Sequence, residues 1–273
     1  MRLINRRPVP RAARLLALLP FAAVLLAYVI SSALRLAENP ADKLLPAFSS
    51  FAAAIDRMAF TADPRTGDVL LWLDTFASLR RLFAGLAIST MVAVVLGIAI
   101  GLLPYLRATL GGFVTAFSMA PPLALLPILF ITVGLGEAAK ITLIAIGVTP
   151  PLVRDMALRV EDVPRQQIVK AQTLGASSWT IALRVILPQV LPRLLDSIRL
   201  QLGPAWLFLI SAEAIAAESG LGYRIFLVRR YLSMDVILPY VAWITLLAFL
   251  MDVAIVLLQR RAFPWFAEAR ASS

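Results

Sequence analysis

Hydrophobic positions along this 273-residue chain form long unbroken runs rather than the short alternations of a soluble domain. A helix rises about 1.5 Å per residue and the hydrocarbon of a bilayer is about 30 Å thick, so about 20 successive apolar residues mark a span. Six runs qualify: Leu15–Leu34, Phe83–Tyr105, Leu110–Leu135, Ile141–Leu158, Leu194–Ala217 and Val236–Leu258. Pro150 and Pro151 interrupt the fourth run, and Arg199 and Pro204 interrupt the fifth. In the third, Pro121, Pro122 and Pro127 prevent one straight helix and free backbone groups that need partners or water. That break is either a gate beside a path or a simple kink. Gly97 and Gly101 in the second run suit close helix contact.

The polar stretches between the runs carry patterns of their own. In the loop spanning 36–82, Phe48, Phe51, Ile55 and Phe60, then Leu70, Leu71, Phe76 and Leu79, recur at helical spacing and predict two amphipathic helices that cover the bundle. Between the fourth and fifth runs lies the segment 160–192. Val163-Pro164 is a helix start, Gly175 stops that helix, and Ser177 or Ser178 caps a second one, Trp179 to Leu187, which Pro188 ends or bends. The prediction is a helix, a glycine bend and a helix, forming a knuckle that projects from the bundle.

Composition sharpens the class. Hydrophobic residues make up 60% of the chain and charged residues 15%, with a mean hydropathy of +0.86, against about 25% charged for an ordinary soluble domain. The fold class is therefore an all-α integral membrane protein, one domain over 1–273. The absence of Cys and His removes disulfides, thiol chemistry, Cys/His metal sites and imidazole catalysis, and no catalytic or metal constellation emerges. The net charge of +10 sits at the ends of the apolar runs, which points to lipid head groups and membrane orientation rather than to nucleic acid.

Counting Lys and Arg in short loops places both termini in the cytosol. The cytosolic side then holds the N-terminal arginines Arg2, Arg6, Arg7, Arg11 and Arg14, together with Arg107, Arg154, Arg159, Arg165, Lys170, Arg184, Arg193, Arg260, Arg261 and Arg270. Arg224, Arg229 and Arg230 fall outside and run against the rule. The first run is too long for a signal-peptide core and lacks an Ala-x-Ala exit, so a retained anchor is expected.

A carboxylate facing lipid costs a few kcal/mol or more, roughly, so Glu213 faces a water-filled path with Gln201 and Ser211, or else pairs with Arg199 or another donor for packing. Gly220, Gly222 and Tyr223 begin a short helix at an outer mouth, or form a plain glycine turn.

Lys170, Ala171, Gln172, Thr173, Leu174, Gly175, Ala176, Ser177 and Trp179, running to Leu187 and Pro188, resemble the EAA loop of ATP-binding-cassette (ABC) importer permeases. There, a glycine precedes Ile-x-Leu-Pro by ten residues. The stretch Ala120 to Pro127, followed by Gly134-Leu135-Gly136-Glu137, resembles the nitrate, sulfonate, taurine and bicarbonate branch. Leu202 to Phe208, Arg229 to Leu232 and Asp235 to Tyr240 are similar to permeases associated with urea carboxylase. The resemblance implies a type I importer fold, a non-enzymatic permease of a bacterial inner membrane, and a substrate that is a small anion or a urea- or guanidine-like compound. It also implies a second copy in a homodimer, a periplasmic or lipid-anchored solute-binding protein, and cytosolic ATPase subunits that dock on the loop. ATP and Mg belong to those subunits, since this chain has no Gly-x-x-x-x-Gly-Lys-Ser/Thr loop. Val169 stands where the family has glutamate, a departure that bears on one salt bridge to the ATPase and not on the docking itself. A secondary transporter or a membrane scaffold leaves the knuckle unexplained.

Overall fold

Among the described residues of the computed structural model, four helices are long and apolar enough to cross a bilayer, Leu15–Glu38, Leu70–Leu102, Glu137–Glu161 and Met234–Ala262. Two bent pairs bring the number to six when each is counted as one broken span: Pro104–Phe117 with Pro122–Val133, bent by 86°, and Ser178–Ala216 with Leu221–Tyr231, bent by 54°. The structure describes residues 9–40, 42–64 and 66–266. Arg2, Arg6, Arg7, Arg65 and Arg270 lie outside them, and Arg11 and Arg14 are described in their backbone only.

The helices are α1 (Pro10–Glu38), α2 (Phe48–Ala59), α3 (Leu70–Leu102), α4 (Pro104–Phe117), α5 (Leu126–Val133), α6 (Glu137–Glu161), α7 (Arg165–Thr173), α8 (Ser178–Ile181), α9 (Leu187–Ala216), α10 (Leu221–Val228) and α11 (Met234–Ala262). With six spans, the first and last helices both begin or end at one end of the bundle, here the terminal end, which also carries α7 and α8. The turns 134–136 and 217–220 lie at the opposite, far end.

Helices α3 and α6 run parallel and form the centre. An added Cβ at Gly85, Gly97 or Gly101 would sit 2.6, 2.5 or 2.5 Å from Ile144, Met156 or Val160 respectively, so the glycine stripe brings the two backbones together in one register. Gly147 leaves room for the Phe208 ring in the same way, and Leu143, Ile144, Val148, Leu152 and Leu209 are nearly inaccessible around it. Gly97→Leu should therefore prevent assembly of a stable bundle, while Gly97→Ala should cost about 1–3 kcal/mol through overpacking. Thermal unfolding of the detergent-solubilised protein measures both.

Several boundaries differ from the sequence reading. The second span begins at Leu70, so the amphipathic stretch Leu70–Leu79 is the far end of α3 and not a separate helix. Its polar positions are used inside the protein, as described below. Only the first of the two expected loop helices, α2, stands alone. Pro150 and Pro151 lie within a continuous α6, and Pro204 within α9. Pro188 likewise neither ends nor breaks its helix. A π turn over Ala182–Ile186, in which the Leu187 N–H reaches the Ala182 carbonyl, shifts the hydrogen-bond register just before it. Pro188 then occupies the first turn of α9, where its missing N–H is not needed. The expected second short helix is thus the beginning of the long fifth span. The break at the third span is real: α4 stops at Phe117 and a 3-10 turn, Pro122–Leu125, leads into α5.

Candidate functional site

Two places concentrate polar chemistry, one at each end of the bundle. At the far end, Asp74, Ser78 and Arg81 occupy i, i+4 and i+7 of α3 and so share one helix face. All three are buried. Together with Glu213 they hold four backbone groups of the turn before α10. The Asp74 carboxylate accepts from the Gly220 N–H at 2.9 Å, the Ser78 hydroxyl accepts from the Leu221 N–H at 2.9 Å, and Glu213 accepts from the Gly222 N–H at 2.9 Å. Arg81 Nη1 donates to the Ser219 carbonyl at 2.7 Å.

Arg81 joins this turn to a second one. The same Nη1 lies 2.7 Å from Glu213, while Nε and Nη2 form a fork on the two oxygens of Glu137 at 2.6 and 2.8 Å. Glu137 also meets Lys140 at 3.0 Å and Arg80 at 3.2 Å. Asp74 in turn takes Arg224 at 2.8 Å and the Tyr240 hydroxyl at 3.3 Å. A buried carboxylate is tolerable only when its lone pairs are occupied, and Glu213, wholly inaccessible, has Ser78, Arg81 and Gly222.

The glycines of this turn are steric necessities. Gly220 has φ +125°, and a Cβ there would lie 2.5 Å from the Glu213 carboxyl carbon. A Cβ on Gly222 would lie 2.7 Å from the Ile210 carbonyl oxygen. Gly220→Ala is expected to push the carboxylate off its donors and to destabilise the protein by more than Gly203→Ala, where the added methyl meets nothing within 4 Å. A melting comparison of the two variants checks this.

Glu213 therefore does not share a surface with Ser211. Residues two apart on a helix point about 200° from each other, and Ser211, half-exposed, donates to the Leu207 carbonyl of its own helix. Leu200, Leu207 and Ile215 are exposed with it. Of the path candidates, Glu213 is buried inside the chain while Pro121 is exposed and Pro122, Gln201 and Ser211 are partly exposed. An apolar groove of about 930 Å³ lies between α1, α2, α11 and the far end of α3, lined by Phe21, Tyr28, Phe51, Trp72 and Trp243 among others. The partner of Glu213 is Arg81 and not Arg199, which forms a two-pronged pair with Asp252 at 2.6 and 2.9 Å. Asp74, Ser78 and Arg81 are not among the residues that the sequence singles out, because they fall in the polar stretch 36–82 that precedes the second apolar run. Their four- and three-residue spacing within an apolar helical stretch was the available signal.

At the terminal end, α7 stops in a Schellman arrangement. The Ala176 N–H bonds the Ala171 carbonyl at 3.0 Å and the Gly175 N–H bonds the Gln172 carbonyl at 2.9 Å, with Gly175 at φ +80°. The Ser177 hydroxyl caps the next helix, accepting from the Thr180 N–H at 3.2 Å. Ala171 and Ala176 pack back onto the cluster of Met156, Val160, Ile181 and Ile186, which holds the bend against the bundle. Lys170, Gln172, Thr173, Gly175 and Pro188 are exposed, Leu187 is half-buried, and Tyr223 at the other end is half-buried. Leu174 is 79% exposed and Trp179 72% exposed. Two large apolar side chains are thus held outward on a rigid bend, among polar neighbours.

The family model for the binding-protein-dependent transport system inner membrane component matches residues 90–265. The chain is 37% identical over 203 residues to the taurine transport system permease protein TauC of Escherichia coli K12, covering 74% of each. It is 31% identical over 194 residues to the bicarbonate transport system permease protein CmpB of Synechococcus elongatus, covering 70% of this chain and 69% of that one. A putative aliphatic sulfonates transport permease protein, SsuC of E. coli K12, is 36% identical over 145 residues, covering 53% of this chain and 55% of SsuC. Among solved structures, a chain of the inward-facing MetNI methionine ABC transporter superposes with a TM-score of 0.61 at 21% identity, covering 68% of this chain and 93% of that one. The fold is shared at that level.

Proposed function

The chain belongs to the family of binding-protein-dependent transport system inner membrane components, and on that premise we propose that it is the permease subunit of an ATP-driven importer. The observation that carries the proposal is the rigid bend at Gly175, which presents Leu174 and Trp179 to a partner. Exposed apolar side chains on a pre-ordered segment are the usual core of a docking surface. The partner is a cytosolic ATPase subunit, which binds ATP and Mg, and this chain performs no chemistry of its own.

The terminal end faces the cytosol of a bacterial inner membrane. Arg107, Arg154, Arg159, Arg165, Lys170, Arg184, Arg193, Arg260 and Arg261 cluster there, as the positive-inside rule requires. The far end then faces outward and receives substrate from a periplasmic or lipid-anchored solute-binding protein. The exposed face of α9, with Leu200, Leu207, Ser211 and Ile215, meets a second copy in a homodimer, and the path runs between the copies. The substrate is a small polar solute, either an anion of the taurine, sulfonate or bicarbonate type or a urea- or guanidine-like nitrogen compound. Glu213 acts in this scheme as the anchor of the outer turn, not as a path residue.

Reconstitution tests the proposal. Proteoliposomes should accumulate solute only when the ATPase subunit, ATP and the solute-binding protein are all present. Uptake by the permease alone would contradict it. Screening the binding protein against taurine, alkyl sulfonates, bicarbonate, nitrate, urea and guanidine identifies the substrate.

A further inference from the structure

Helix α1 stands off from the rest of the bundle, with only 6% of its most apolar stretch buried. Its ties run to the loop and to α2 rather than to α11. The Tyr28 hydroxyl donates to the Pro46 carbonyl at 2.6 Å, and the Ser32 hydroxyl to the Leu45 carbonyl at 2.9 Å. The Tyr28 ring meets those of Phe48 and Phe51 at 5.7 and 5.9 Å between centroids. Held in this way, α1 leaves the groove of about 930 Å³ between itself and α11, and no charged residue lines it.

The groove runs from head-group level into the hydrocarbon. Helix α11 has 29 residues, about 44 Å of helix against about 30 Å of hydrocarbon. Arg260 and Arg261 mark the polar boundary at its terminal end, so its first turn, from Met234, stands among the head groups at the other. Ala242, Trp243 and Leu246, which line the groove, lie two to three turns deeper.

Arginines gather at the outer end. Arg57, in the last turn of α2, faces Asp235 in the first turn of α11 through a single contact at 3.7 Å, with its side chain 63% exposed. Arg229 and Arg230 are exposed on the 3-10 turn Arg229–Tyr231, three residues before α11 begins. Among the described residues neither pairs with a carboxylate. Setting the neighbouring Asp56 and Asp235 against the three arginines leaves one positive charge in excess, the charge that one phosphodiester neutralises. Guanidinium groups suit that partner, because their N–H fork matches phosphate oxygens.

An occupant must be apolar along its length and anionic at its outer end, which is the form of an acidic phospholipid. We propose, independently of any transport activity, that the groove is a binding site for such a lipid, with its acyl chains along Phe21, Phe51 and Trp243 and its phosphate on Arg57, Arg229 and Arg230. The face assigned above to a second copy is that of α9, so the two surfaces do not compete.

The test takes the full-length protein from nanodiscs holding equal parts of phosphatidylglycerol and phosphatidylcholine, washes it in neutral detergent, and reads the retained lipid by native mass spectrometry. Wild type should retain phosphatidylglycerol over phosphatidylcholine by about tenfold. R57Q/R229Q/R230Q should lose that preference, and R57Q alone should lower it about threefold, which keeps the test open if the triple variant fails to fold. A242W, which fills the groove from an exposed position, should lose both lipids. A254W is the control: it fills an apolar groove of about 650 Å³ between α3, α9 and α11 whose lining holds no charged residue, and it should retain lipid as wild type does. Size-exclusion elution and melting in detergent show which variants are folded. Equal retention of the two lipids by wild type, or an unchanged preference in the folded arginine variants, would overturn the proposal. So would equal losses from A242W and A254W, the mark of a general lipid coat, or an A242W that keeps its lipid and instead breaks a dimer, which would give the groove to a second copy.

Discussion

Replacing Arg81 by methionine is expected to destabilise the folded protein by about 3–5 kcal/mol, the cost of leaving a buried charge without its partner. The single side chain serves Glu213, Glu137 and the Ser219 carbonyl, so its loss strands one wholly buried carboxylate and unties the turn before α10. Lysine does not replace it, since one ammonium cannot fork onto Glu137 while reaching both Glu213 and Ser219. Arg81→Lys should fall between wild type and Arg81→Met. Removing the stranded charge as well, in R81M/E213Q, should recover part of the loss. Glu137→Gln should be milder than any of these, because Glu137 is 42% exposed at its side chain and water can replace part of what it loses. Thermal unfolding in detergent gives the order. If Arg81→Met melts like wild type, the far-end network is not what holds α10 in place.

Gly175→Glu is expected to abolish uptake while leaving an assembled bundle in the membrane. A Cβ at Gly175 meets nothing within 4 Å, so the cost to folding is confined to the left-handed backbone, about 1–2 kcal/mol. The effect on docking is larger, because a carboxylate then stands beside Leu174 on the surface proposed to meet the ATPase. Gly175→Asn separates the two contributions: asparagine tolerates the left-handed conformation and adds no charge, so it should retain most uptake. Trp179→Ala should reduce uptake through lost contact area alone, with the Schellman bend intact. The readouts are solute uptake in proteoliposomes and the fraction of ATPase subunit that copurifies. Full uptake by Gly175→Glu would move the bend from docking to simple chain reversal.

The reach of the sequence follows from which interactions are local. The spans are legible because a bilayer demands a run of apolar residues whatever the tertiary contacts, and the bend is legible because Gly175 and Ser177 act on their immediate neighbours. Pro188 misleads for the complementary reason. A proline normally marks a boundary, but the π turn just before it removes the conflict, and nothing local announces a π turn. Glu213 is recognisable as a buried carboxylate, yet its partner lies 132 residues away in sequence on a helix whose start is obscured by its own polar positions. Asp74, Ser78 and Arg81 read as a wet surface, because their partners, the backbone groups of residues 219–221 and the side chains of Glu137, Glu213, Arg224 and Tyr240, lie on distant elements. The opposed directions of Ser211 and Glu213 needed no structure at all, since a two-residue step on a helix cannot line one path.

The chain contains no cysteine, so single cysteines introduced at Leu174 or Trp179 are unique handles on the bend. Cross-linking each, in native membranes, with a short thiol-to-amine reagent is the most direct test of the central claim that this bend seats a separate ATPase. The account predicts one adduct of permease with the ATPase subunit from either position, whose yield changes when ATP is added, and none from a cysteine at Tyr231 at the far end. A bend whose cysteines are modified freely yet never join the ATPase, in membranes that still transport, would contradict it.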